Sequence, residues 1–418
     1  MKIMMVNSYY YPRGGLERYM FELSILLEMH GHEVIPFCMV HENNRPSKYS
    51  DYFVSHIDYP TLLKSGPSVR MIFKAVERLF YSGEARQKIK QLIVDTQPDI
   101  VHVQGLGHEI SSSILDVIKS FGIPIVQTLH DYGLICPNAT CISHGEVCER
   151  CKGRRFYNVV LRRCKRDSLA ASLLACLAKY QHLLTNVYGR NIDLYIAPSN
   201  FLRKKLIEHG IKKKIIVIPN FVDLNRFQTR EGNSGYCIFF GRLLAIKGVR
   251  TLIEAAKLNR QARILIAGNG ELEDEIRKAI AEYQLDHVTM LGFVEPKNLM
   301  ELISMSNFTI LPTENYENYP MSILESFYYA KPVIASNIGA VPDLVVDHTN
   351  GLLFEPGNAS QLASHIQYLF EHPEEAMTMG NNGRAFLLAN NDPEVHYQKI
   401  MEIYQSLIFH YSELPATI

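Results

Sequence analysis

Short apolar runs rich in β-branched residues alternate with longer amphipathic segments along almost the whole chain, and this alternation limits the fold more than any other feature. The runs lie at 3–6, 34–40, 100–103, 125–129, 194–197, 215–218, 236–240, 263–267, 288–291, 308–311 and 333–335. Between them fall helical patterns such as 17–29, 249–258 and 271–283. Strands that are apolar on both faces and alternate with helices belong to parallel sheets covered on both sides. Two successive sets of runs appear, divided where the run at 215–218 meets Pro219-Asn220 and a polar stretch follows. The expected boundary is near residue 228, and 418 residues suit two domains. A last helix is expected over 393–409, with Asp392 as N-cap and Pro393 in the first turn.

Composition narrows the function. Hydrophobic residues make up 47% and charged residues 21%, enough for full cores and unlike a disordered chain. Lys+Arg and Asp+Glu both number 43, so no global field draws the chain to nucleic acid, and no nucleic-acid partner is expected. The run at 3–6 is too short for a signal segment and no run reaches the length of a membrane span, so the expected location is cytoplasmic.

Residues 136–190 break the alternating pattern. Five of the eight cysteines fall between Cys136 and Cys164, which in such a chain suggests metal or redox chemistry before disulfides. From Lys152 to Arg166 there are seven Lys/Arg and no acid, and Leu169, Leu173, Leu174, Leu177, Leu183 and Leu184 follow. A basic face beside an apolar stripe reads either as an interfacial amphipathic helix over 152–184, resting on an anionic membrane, or as a core helix with a solvated basic end.

Four elements could carry chemistry. Gly14-Gly15 follows the first run and precedes a helix, where it lets backbone approach a ligand or simply makes a tight turn. Phe240-Gly241-Arg242, with Lys247-Gly248, could aim a planar guanidinium and a compact ammonium at a diphosphate. Glu317-Asn318-Tyr319-Pro320-Met321 through Glu325 places one carboxylate in a loop and one on a helix begun by Pro320, with free amides at the junction. Ionised carboxylates there would accept hydrogen bonds from sugar hydroxyls, or act as a capping acid and a surface acid. His130 lies just past the run at 125–129, at the carboxyl end of a strand, where open α/β sheets bind ligands; a lone His also serves structure.

In this order and at these separations the four elements resemble the retaining GT-B glycosyltransferases, and more narrowly family 4. The matching residues are Gly14-Gly15-Leu-Glu-Arg18, His130, the Gly241-Arg242 to Lys247 segment, and Glu317-x7-Glu325. Asn220-Phe-Val-Asp223, Gly339-Ala-Val-Pro-Asp343 and Asn350 to Gly357 support the match, with Ala340 and Asp343 standing where relatives often have Gly and Glu. The resemblance implies two Rossmann-like doubly wound domains facing across a cleft: 1–228 on the acceptor side, with an insertion at 136–190; 229–392 binding a nucleotide-diphosphate sugar; and 393–418 crossing back to the first. It implies retaining transfer to a glycan acceptor, with surface polysaccharide synthesis as the expected setting; a lipid-linked acceptor and a place at the inner face of the membrane rest on the basic, apolar segment 152–184. Under the resemblance, His130, Glu317, Arg242 and Lys247 would be catalytic. Gly14, Gly15, Gly241, Asn318, Tyr319, Pro320, Met321 and Glu325 would join Arg242, Lys247 and Glu317 in holding the donor, with Glu325 on the ribose. A non-catalytic nucleotide-sugar-binding subunit and a nucleotide-sugar epimerase are the alternatives. The class works without a catalytic metal, in keeping with the missing Asp-x-Asp triplet. A Cys-rich insertion recurs in a subset of the family, and by that likeness Cys136, Cys148, Cys151 and Cys164 would hold a structural zinc.

Overall fold

The computed structural model describes residues 1–56, 77–107, 110–223 and 232–413. The expected boundary at 228 lies outside these residues.

Two six-stranded sheets organise the chain. The first contains β1 (Lys2–Val6), β2 (Glu33–Phe37), β3 (Ile100–Val103), β4 (Ile125–Thr128), β7 (Leu194–Ala197) and β8 (Ile215–Val217), in the order β2-β1-β3-β4-β7-β8. The second contains β9 (Tyr236–Phe240), β10 (Arg263–Ala267), β11 (Val288–Gly292), β12 (Phe308–Leu311), β13 (Val333–Ser336) and β14 (Gly351–Phe354), in the order β11-β10-β9-β12-β13-β14. Every pairing in both sheets is parallel. Most of these strands are buried along their length, as their unbroken apolar sequence requires. Strand order reverses between β1 and β3 in the first sheet and between β9 and β12 in the second. Those switch points open crevices at the carboxyl ends of the strands, where α/β folds bind ligands.

The helices that matter for the site are α1 (Gly15–Met29), α2 (Leu169–Thr185), α3 (Asn200–Glu208), α4 (Met321–Tyr328) and α5 (Pro393–Ser412). Asp392 caps α5 by accepting from the amides of Glu394 and Val395. This last helix packs on the first sheet, not the second: Ile400, Met401, Ile403 and Tyr404 share a core with Ile3, Met5, Leu23 and Ile196. Burial of each such side chain is worth about 1.5–3 kcal/mol. The Tyr404 hydroxyl lies 2.6 Å from His102 Nδ1, and His396 takes a 3.0 Å hydrogen bond from the Tyr19 hydroxyl while its Nδ1–H donates to Pro219 O.

Several local expectations shift. The run at 34–40 ends as a strand at Phe37, and Met39 instead makes an isolated bridge with Val54. β14 was not among the expected strands, because four residues beginning with Gly carry too little pattern. A small antiparallel hairpin, β5 (Ile142–Ser143) with β6 (Glu146–Val147), lies in the insertion. Pro320 is the N-cap of α4 and not a residue of its first turn. On α2 the small residues Ser172, Ala175, Cys176 and Ala178 face inward, leaving Leu169, Leu173, Leu177 and Leu184 exposed.

Candidate active site

The second sheet's switch point is built by two loops that grip one another. After β9 the chain makes a short helical turn, Ala245–Lys247, which ends at Gly248 with φ 68°. A Cβ on Gly248 would stand 1.6 Å from the Pro312 carbonyl oxygen, so only glycine lets this loop touch the one following β12. The contact is sealed where the Glu314 amide donates to Ile246 O at 2.9 Å. It brings Lys247 Nζ to 2.5 Å from Glu317 Oε1, with the Thr313 hydroxyl on the same oxygen at 3.1 Å. Behind this pair Gly339, at φ 62°, would place a Cβ 2.7 Å from Glu317 N, and the Ala340 amide donates to Glu317 O at 2.9 Å. The Gly339-Ala340 segment therefore clamps the backbone that carries Glu317.

Glu325 lies one turn into α4 and is buried. Its Oε1 accepts from Arg18 of α1 at 2.6 Å, and Arg18 also donates to Glu22 at 2.9 Å. Burial works against the charge on Arg18, but the two carboxylates outweigh it and hold the guanidinium above its ordinary pKa. This ion pair joins the two halves of the molecule. Two further contacts do the same: Asn318 Nδ2 donates to His130 O at 2.6 Å, and Asp343 accepts from the Phe201 amide in the first turn of α3 at 3.0 Å.

His130 follows β4, with its Nε2–H directed at Gln104 Oε1 at 2.9 Å and its ring centroid 5.1 Å from that of Tyr19. Burial pushes its pKa down to about 3, so the ring is neutral near pH 7 and offers Nδ1 as an acceptor. Gly14 and Gly15 have no positive φ. A Cβ on Gly15 would meet nothing within 4 Å, so packing within the chain does not explain the residue.

A cavity of about 410 Å³ lies between the two sheets' loops, lined by Gly15, His130, Glu317, Asn318, Tyr319 and Met321 among others. Lys247 reaches its wall through Glu317, and Glu325 sits behind it with Arg18. Tyr319 turns its hydroxyl away, toward Asn391 Nδ2 at 2.7 Å. Asn318 Oδ1 is buried and has no hydrogen-bond partner among the described residues. Gly14, Gly241, Arg242 and Pro320 are not part of this lining, and the Arg242 side chain is exposed.

The cysteines gather without forming the expected tetrad. Cys136, Cys148, Cys151 and Cys164 border one cavity of only about 10 Å³. The Cys136 sulfur accepts a hydrogen bond from the Cys141 thiol, which holds its pKa down at about 6, while burial and neighbouring thiols push Cys151 up to about 12. Among the described residues no three His, Cys, Asp or Glu side chains are grouped so as to hold a metal ion. As placed, the thiols do not fit a zinc site.

The sequence reading missed several participants. Arg18 lay inside the quoted Gly-Gly motif but has its role only because α1 meets α4. Gln104, which fixes the His130 ring, and Tyr316, whose hydroxyl donates to Glu149 of the insertion at 2.8 Å, carry no local signal.

Comparison with known proteins agrees with this architecture. Residues 13–226 match the model of Glycosyltransferase Family 4, and residues 222–386 match that of glycosyl transferases group 1. An uncharacterized 42.6 kDa protein from the cps region of Klebsiella pneumoniae is 26% identical over 82% of this chain and 87% of its own length. A sucrose-phosphate synthase from Thermosynechococcus elongatus superposes with a TM-score of 0.71 at 19% identity, covering 98% of this chain and 99% of the other. HepE of Anabaena, solved in complex with UDP-glucose, gives a TM-score of 0.64 at 21% identity over 97% and 100% of the two chains. The chain belongs to Glycosyltransferase Family 4 and is a glycosyltransferase of the GT-B fold.

Proposed function

We propose that the chain is a retaining glycosyltransferase that moves a sugar from a nucleotide-diphosphate donor to a glycan or lipid-linked acceptor in polysaccharide synthesis. The observation that carries this reading is the Lys247–Glu317 pair at the head of α4, facing His130 across the cleft. Lys247 has three N–H donors, so one can hold Glu317 while the others meet diphosphate oxygens. Arg242 adds a second cation from the same loop. Glu317 and the Asn318 carbonyl accept from hydroxyls of the transferred sugar. Glu325 accepts from the ribose while Arg18 holds its Oε1. Gly15 leaves room for the diphosphate beside the start of α1.

In the reaction the bond from the anomeric carbon to the diphosphate oxygen breaks, and the bond to the acceptor oxygen forms on the same face. The acceptor proton passes to the departing diphosphate. Negative charge grows on that group and positive charge on the sugar ring, and fixed cations with helix-terminal amides stabilise the first. The two-carboxylate glycosidase scheme is not assigned to Glu317 and Glu325, because Lys247 and Arg18 engage their carboxylates in ion pairs and leave neither as a free nucleophile or acid. No cofactor takes part in this scheme. The structural zinc rests on family likeness alone, and the metal content of protein purified reduced and without chelators tests it. The exposed leucines of α2, with Arg155, Arg163 and Arg166 near its start, form the face that rests on an anionic membrane.

The reading is tested with a panel of nucleotide-diphosphate sugars, first by thermal shift and then by diphosphate release with acceptor present. Lys247→Ala and Arg242→Ala should each lower kcat by about 10²–10³, the scale of removing one preorganised electrostatic donor, with the melting temperature retained. Near-normal turnover in both variants sinks the diphosphate assignment.

A further inference from the structure

A second cavity in the first half of the molecule has no place in the reading above. It measures about 430 Å³ and is lined by Arg154, Lys179, Lys212 and Lys213, with Phe156 and Leu183 on its apolar wall. These cations come from three places: the turn Lys152–Arg154 and helix α2, both in the insertion, and the turn before β8. No carboxylate is among the residues that line it. Gathering like charges costs free energy unless an anion answers them.

Elsewhere in the same half, several cations are matched. Lys119 meets Asp193 at 2.6 Å, Arg190 meets Asp116 at 2.8 Å, and Lys205 meets Glu149 at 2.6 Å. Arg154, Lys212 and Lys213 have no carboxylate partner among the described residues. Burial, with Lys165 nearby, presses Lys179 down to about 8 despite Asp131, and an anion beside it would raise that value again.

The cavity has a neighbour. A neighbouring one of about 260 Å³ lies at the β1/β3 switch point and reaches His130. The two share Leu134, Lys179, His182 and Tyr188 in their walls. A molecule entering through the larger cavity could therefore set one end beside His130 while its anionic part stays among the cations.

We propose that the 430 Å³ cavity binds a phosphate ester carried by the acceptor, an amphiphile whose phosphate lies between its reacting end and an apolar tail. Arg154 supplies a planar fork for phosphate oxygens and the lysines supply point charges, while Phe156 and Leu183 take the first part of the tail. This rests on the transferase reading only for its statement that the bound molecule is the acceptor.

The test is calorimetric titration of the full chain with decyl phosphate below its micelle concentration, beside decyl glucoside and inorganic phosphate. Decyl phosphate should bind, decyl glucoside should bind at least tenfold more weakly, and inorganic phosphate more weakly still. Lys212→Gln with Lys213→Gln, on a surface turn, should weaken decyl phosphate tenfold or more while leaving the thermal shift given by nucleotide diphosphates unchanged. Arg154→Gln is the independent second variant. Equal affinity in both variants overturns the proposal, as does equal binding of decyl glucoside. Inorganic phosphate binding as tightly as decyl phosphate also overturns it, since the site would then serve the free ion. If no nucleotide diphosphate stabilises the protein, the donor reading fails while the decyl phosphate result stands on its own.

Discussion

Arg18 and Glu325 lie 307 positions apart in sequence, and their 2.6 Å contact shows how single residues tie the two halves together. Both are largely buried, with side-chain exposures of 29% and 9%, so the pair is screened less than a surface bridge. A double-mutant cycle with Arg18→Met and Glu325→Gln, read by urea unfolding, should return a coupling of about 1–3 kcal/mol. Donor binding should separate the partners' roles: Glu325→Gln should weaken it through the ribose, and Arg18→Met should do so less. Equal losses in the two variants would assign Arg18 a direct contact with the donor.

At the scale of elements, the site depends on loops held by glycines and by the strand ends behind them. Gly339 is the clearest case, because its φ of 62° and the 2.7 Å approach to Glu317 N both exclude a side chain. Gly339→Ala should cost about 1–3 kcal/mol and at least tenfold in activity, measured by urea midpoint and steady-state turnover. Activity at the wild-type level would show that the clamp on Glu317 is dispensable. The insertion makes a different point. Inward packing of α2 uses Ser172, Ala175, Cys176 and Ala178, so its exposed leucines are not needed for the core. Leu173→Ser with Leu177→Ser should therefore leave the melting temperature within a few degrees and reduce co-sedimentation with vesicles containing anionic lipid, as should charge removal at Arg155, Arg163 and Arg166. Unchanged sedimentation in both sets would make this face an ordinary solvated surface. Among the described residues no helix is long and apolar enough to cross a membrane.

Over the whole molecule, the path of the last helix couples stability to pH. His102 and His396 are buried against Tyr404 and Tyr19, and burial pushes their pKa values down to about 3 and about 4. Both rings are neutral in the native state, whereas in the unfolded chain they take protons below about pH 6.5. Stability is therefore present above pH 6.5 and falls as the pH drops toward 4, by about 1.4 kcal/mol per pH unit for each ring. Urea midpoints at pH 7, 6 and 5 should decline accordingly, and His396→Gln should flatten the decline by about that amount. An unchanged slope in His396→Gln would mean that His396 takes no part in setting the acid limit.

Much of this protein was legible along the chain. Largely apolar, β-branched runs such as 100–103 and 308–311 read as buried strands, because in water they would expose both faces, and their alternation with helices points to parallel sheets. Pro320 and Asp392 mark helix starts through local backbone chemistry alone. Pairings between distant residues left no such trace. That Lys247 meets Glu317, that Arg18 meets Glu325, and that Arg154 and Lys212 share a cavity depend on where strand order reverses and on how two loops close. Family likeness suggested a tetrad, yet in the folded chain the Cys136 sulfur accepts a hydrogen bond from Cys141. Periodicity records which face of a segment avoids water, a local property; which charges end as neighbours is a property of the folded whole, and only the tertiary structure decided it.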